Sequence, residues 1–176
     1  PTTGIYAIRE RPGDETSLNL YRPSEPRILG APRDFTERGG FSWSGSLAST
    51  SEERDNPWAI LKREDWPEGV VPAIGDQNTV RWILQSGLGK DLPVRNGAGL
   101  ETKLRIVGLL SNSLLQGALV VDTKAFEELF PSRRGWSSFF IEAPGEKRGA
   151  IRDGLENGLQ DFGFDLRSSG EVLRHF

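Results

Sequence analysis

Residues 106–142, IVGLLSNSLLQGALVVDTKAFEELFPSRRGWSSFFIE, decide the fold of this 176-residue chain. They open inside a longer run, residues 102–110 (TKLRIVGLL), which alternates polar with apolar at its start and then becomes wholly apolar. A strand reads that way when it passes from a surface into a core. Residues 118–121 (ALVV) follow as a second buried strand. Asp122 or Thr123 next offers a side-chain oxygen to cap a helix over residues 124–130, and Pro131 stops it. The chain returns over residues 136–142 (WSSFFIE) as a strand with three aromatics.

On the C-terminal side, residues 146–162 carry Ile151, Leu155, Leu159 and Phe162 at i, i+4, i+8 and i+11, the spacing of an amphipathic helix. Gly149, Gly154 and Gly158 each cost such a helix about 1 kcal/mol against alanine, so packing is expected to hold it. Residues 164–167 read as a last short strand, and 170–176 as the start of a segment that is cut off.

On the N-terminal side, residues 70–75 (VVPAIG) form a compact apolar run, and Asp76 caps a short helix over 77–85 with Val80, Ile83 and Leu84 on one face. Residues 87–94 (GLGKDLPV) are turn-rich. In the first 69 residues Gly, Pro and Ser leave room only for short strands at 4–9, 18–21 and 27–30. One helical turn fits 34–40, capped by Asp34 and stopped by Gly39-Gly40, and 48–56 (ASTSEERDN) reads as a polar surface loop. The order from residue 70 is strand, helix, strand, strand, helix, strand, helix, strand. This predicts a single α+β domain, a mixed sheet with helices on one face.

Composition narrows function. A hydrophobic fraction of 36% and a charged fraction of 27% belong to a folding chain. The net charge of −3, without a basic stripe carrying interleaved aromatics, excludes nucleic acid as a partner. The absence of cysteine removes disulfides, thiolate metal sites and cysteine nucleophiles together. The single histidine, His175, stands next to the end of the sequence, where the packing that orients a catalytic or metal-binding imidazole is scarce. No serine-hydrolase elbow or phosphate-loop motif occurs, and Gly87-Leu88-Gly89-Lys90 reads as a tight turn. The acidic pairs Glu52-Glu53, Glu64-Asp65 and Glu127-Glu128 read as solvated surface. The sequence therefore assigns no catalytic, cofactor-binding or metal-binding residue, and the chain is expected not to be an enzyme. No apolar run reaches the 18 residues that a membrane span needs, and with Pro1 first and no methionine the chain reads as an excised or processed fragment.

With these elements placed, residues 106–142 resemble the extracytoplasmic core domain of MacB/FtsX-like ABC-transporter permeases. A glycine turn at 87–92 precedes a hairpin whose second strand ends in Ile106-Val107-Gly108. Asn112-Ser113-Leu114-Leu115-Gln116-Gly117 leads to an apolar strand and a short helix ending in Leu129-Phe130-Pro131, followed by Gly135 and the strand at 139–141. Residues 151–162 and 164–166 resemble the helix and strand that lead back to the membrane, and the likeness extends to about 17–176.

The resemblance implies a periplasmic or extracellular domain of an inner-membrane permease, without a cofactor. It implies coupling of cytoplasmic ATP hydrolysis to cargo movement through a permease dimer, a cytoplasmic ABC ATPase and a periplasmic adaptor or carrier protein. It also implies an inserted lobe at about 31–104, a membrane-proximal lobe from 1–30 and 105–176, and residues 4–9 lying near 170–176. Phe41, Trp43, Leu47, Ser113, Leu114 and Leu115 are the candidate contact residues. Two other readings stand beside it. A free-standing ligand-binding or adaptor module predicts a deep apolar pocket lined by several of Trp43, Trp58, Trp66 and Trp82. A carboxylate-dependent hydrolase predicts two acids facing each other across a cleft.

Overall fold

The computed structural model describes residues 3–13, 25–162 and 165–169. Among the described residues eight strands form one sheet: β1 (Gly4–Arg11), β2 (Arg27–Ala31), β3 (Ser42–Ser46), β4 (Val70–Asp76), β5 (Asp91–Arg95), β6 (Glu101–Ser111), β7 (Ala118–Asp122) and β8 (Ser138–Glu142). Their order is β3-β6-β4-β7-β2-β1-β8, with β5 on β6. The pairs β2·β7 and β4·β6 are parallel and the others antiparallel, so the sheet is mixed as expected. Among the described residues the α-helices are α1 (Arg33–Glu37), α2 (Ser51–Asp55), α3 (Thr123–Leu129) and α4 (Arg148–Leu159).

Long β6 organises the sheet. Its first half pairs with β5 and its second with β3, while β4 runs along its other side. Consecutive apolar residues in the central strands are sorted to opposite faces by the two-residue period of a strand. Leu29, Ile74, Val107, Ala118 and Val120 join one core with Phe35, Trp58, Ile60 and Leu61. Ile28, Ala73, Ile106, Leu119 and Val121 join a second core with Val80, Phe126, Leu129 and Phe130. The covering elements therefore lie on both faces of the sheet rather than on one. Runs such as ALVV, buried at every residue, require cover on each side. Gly30 permits the close approach of α3, since a Cβ there would lie 2.8 Å from Cβ of Phe126. The border drawn near residue 104 falls within β6, which runs unbroken across it.

Most of the expected elements are present, including the Asp122 cap, whose carboxylate accepts from the Lys124 N–H at 3.0 Å. Several readings are corrected. Residues 48–56 contain α2, closed by a capping box in which Thr50 and Glu53 each accept from the other's backbone N–H. The stretch 87–94 yields β5, which tolerates Pro93 because the strand pairs on one side only. Asp76 caps the helical segment after it as expected, its carboxylate accepting from the Asn78 and Thr79 N–H groups, but that segment is a wide turn, with Leu84 N–H donating to the carbonyl of Thr79, and not a regular α-helix. The extra residue per turn rotates Ile83 outward while Val80 stays buried. Asp34 lies inside α1 and not at its cap. No residue of α4 is fully buried, and its apolar stripe, Ile151, Leu155 and Leu159, is half-buried. Residues 165–167 form no strand; the strand expected at 18–21, the segment 170–176 and His175 fall outside the described residues.

Candidate interaction surface

The six candidate contact residues do not form one exposed surface. Phe41, Trp43 and Leu47 pack against the first core, where the chain folds residues 57–62 over them. Phe41 and Trp43 meet the buried ring of Trp58 edge-on, at centroid distances of 5.0 and 5.4 Å, and Phe35 joins the cluster. Ser113 is buried, and its hydroxyl accepts from the Leu115 N–H at 3.0 Å, shaping a turn that drives Leu115 into the core. Leu114 alone of the six is exposed, at the margin of 38%.

Groups outside that set supply the exposed apolar surface. Ile5, Trp136 and Phe139 lie at the β1–β8 edge, and Phe162 follows α4. Trp82 and Ile83 project from the wide turn at 79–83, which is tied to the 112–117 loop by the Gly117 N–H donating to Thr79 Oγ1 at 2.9 Å. The sequence carried a partial signal: Ile5 and Phe139 each open a run of consecutive apolar residues, 5–8 and 139–141, and such a run presents apolar side chains to both faces of a sheet.

Acidic side chains are engaged by arginines. Glu53 is buried, its oxygens 2.6 and 3.0 Å from the Arg63 guanidinium, and it accepts from Ser49 N–H at 2.7 Å. The hydrogen bonds from Arg63 and then from the Ser49 backbone lower its pKa to about 2. Glu37 is lowered by Arg33, Asp91 by Arg105 and Glu142 by Arg38. At Glu10 burial raises the pKa, but hydrogen bonds from Ser138 and Arg27 outweigh it and the net shift is downward. A glycosidase-type acid needs the opposite shift, a carboxyl held protonated near neutral pH. Glu53 thus departs from the solvated-surface reading, and its role is to tie α2 to the strap at 57–63.

A recess of about 290 Å³ lies beside this pair, lined by Glu37, Glu52, Glu53, Trp58, Lys62 and Arg63 among others. Of the four tryptophans expected in an apolar ligand pocket it holds only Trp58, with ionised groups around the rest. Among the described residues no group of three metal-ligating side chains occurs, and no helix is long and apolar enough to cross a membrane.

No family model matches the chain and no curated protein matches it in sequence. Among solved structures it is similar to the extracellular domain of the noncanonic ABC-type transporter YknZ from Gram-positive bacteria. That likeness has 10% identity and a TM-score of 0.42, over 93% of this chain and 75% of the other. The chain is likewise similar to the periplasmic region of MacB from Actinobacillus actinomycetemcomitans, with 11% identity and a TM-score of 0.46, over 98% of this chain and 74% of the other.

Proposed function

We propose that the chain is the extracytoplasmic domain of an ABC-transporter permease. In this reading it is a non-catalytic body that couples ATP hydrolysis in the cytoplasm to movement of cargo on the outer side of the membrane. One observation carries it. The first strand and the last strand of the sheet are neighbours, with Gly4 opposite Glu142. The chain therefore enters the sheet and leaves it side by side at one end, as a domain inserted between two membrane helices must. The stretch 106–142 that carries the family resemblance supplies β7, α3 and β8 and the second half of β6, the frame on which that edge is built. Both sheet faces are packed, which gives a body stiff enough to transmit a movement instead of absorbing it.

The partners of this reading are a second permease subunit, a cytoplasmic ATPase and a periplasmic adaptor or carrier. The two-lobe division at about 31 and 104 belongs to the same proposal. The test is the coding sequence on either side of the chain. An apolar helix of about 20 residues before residue 1 and three after residue 176 are expected. A soluble domain directly joined on both sides would overturn the reading.

A further inference from the structure

At the β1–β8 edge one face of the sheet combines exposed apolar side chains with an excess of arginine. Ile5 stands opposite Ile141 and Ala7 opposite Phe139, so these four share that face. Arg9 and Arg11 continue it at the two-residue period of a strand. It is the side on which α3 packs: Arg9 Nη2 lies 2.9 Å from Glu127, and the Arg11 guanidinium lies over the Phe130 ring at 5.5 Å. α3 itself sits over β2 and β7. Ile5 is left 63% and Phe139 45% exposed.

Residues 131–137, all exposed, carry the chain from α3 to β8 alongside β1. The Ser137 N–H donates to the Ile8 carbonyl at 3.1 Å, and Arg9 Nη1 approaches the Arg133 carbonyl at 3.5 Å. Trp136, 49% exposed, holds its ring 4.7 Å from the Arg9 guanidinium. The loop therefore sets Arg133, Arg134 and Trp136 beside the apolar face.

The acids here are already taken. Glu127 pairs with Arg9 and Glu25 with Arg11, both within 2.9 Å, while Arg133 and Arg134 form no ion pair among the described residues. Burial lowers the pKa of Arg11, Glu25 acts against this, and the nearby Arg133 lowers it further, so the guanidiniums feel one another's charge.

This combination selects the occupant. Two unpaired cations call for anions, and Ile5 and Phe139 call for hydrocarbon. A free phosphate ion would meet only the first need and an apolar protein surface only the second. A bilayer with anionic headgroups meets both, with tryptophan at the boundary where its amphipathic ring is favoured. We infer that this face binds the surface of a membrane containing anionic phospholipid. Arg133 and Arg134 meet the headgroup phosphates, and Trp136, Phe139 and Ile5 enter the interface beside them. The inference does not rest on the transport reading.

Co-sedimentation of the 176-residue chain with vesicles tests it. Equimolar phosphatidylglycerol and phosphatidylcholine are compared with phosphatidylcholine alone, at low salt. One variant carries Arg133→Gln with Arg134→Gln, a second carries Phe139→Ser, and circular dichroism confirms that each is folded. A third, Arg95→Gln with Lys103→Gln, removes the same charge from exposed positions on β5 and β6, far across the sheet.

The chain should sediment with the anionic vesicles and not with phosphatidylcholine. Binding should fall about fivefold for each of the two arginines removed and about tenfold for Phe139→Ser, and stay within about twofold for the β5–β6 variant. Excess inorganic phosphate, at matched ionic strength, should leave the chain on the vesicles. Displacement by phosphate would show an ion site instead of a membrane face and overturns the proposal. So does an equal loss in the β5–β6 variant, or indifference to Phe139→Ser. Failure to sediment with any vesicle overturns it and assigns the face to a protein partner.

Discussion

Replacing Glu53 with Gln removes a charge while leaving an oxygen that can still accept from Ser49 and Thr50. In the folded protein this carboxylate titrates at about 2, against an ordinary value of 4.5. Each unit is worth about 1.4 kcal/mol of linkage, so the ionised form contributes at most about 3.5 kcal/mol, and about 2 after screening by the solvent that reaches Arg63. Because the folded pKa is depressed, this stability is fully present above pH 4.5 and is lost as the pH falls towards 2. Urea unfolding of the chain and of E53Q should therefore differ by about 2 kcal/mol at pH 7 and by about 1 kcal/mol at pH 3. An equal difference at the two pH values, or none at pH 7, would refute the assignment of the ion pair as the cause.

Three further substitutions probe packing by urea unfolding at pH 7. Gly30→Ala places a methyl 2.8 Å from Cβ of Phe126 and should cost about 1–3 kcal/mol. Gly149→Ala, where the new methyl meets nothing within 4 Å, should be stabilising by about 0.5–1 kcal/mol; a loss would show that something covers this side of α4. Trp58→Ala empties the centre of the aromatic cluster, where the indole is 1% exposed, and should cost about 3–5 kcal/mol, with a small effect excluding that ring as the keystone of the first core.

What could be read in the sequence depended on how local the deciding interactions are. β6, β7, α3 and β8 lie in one stretch and carry their own signals, an apolar run, an Asp cap and a proline stop. Each was legible for that reason. α2 was not read from its polar composition, although Thr50-x-x-Glu53 is a capping-box spacing and was the available clue. The burial of Glu53 depends on Arg63, ten residues on, and that contact leaves no local mark. β5 was implied only as the first strand of the hairpin in the family resemblance; its own residues hid it, because a strand tolerates Pro93 only at an edge, and edges are set by the completed sheet.

The contact residues were the least legible. Phe41 and Trp43 sit among Ser and Gly and read as surface, yet residues 57–62 close over them. Ile5 and Phe139 lie in strands expected at 4–9 and 136–142, yet both side chains are left exposed. Periodicity reports which residues seek cover. It does not report whether cover arrives.

The most direct measurement of the central claim uses the absence of cysteine in this chain. Leu100→Cys places one thiol on the exposed turn between β5 and β6 of the full-length protein, with any cysteine outside the chain replaced. A membrane-impermeant maleimide applied to intact spheroplasts should label that thiol as fully as it does after lysis. Labelling that appears only after lysis would place the domain in the cytoplasm and contradict the account.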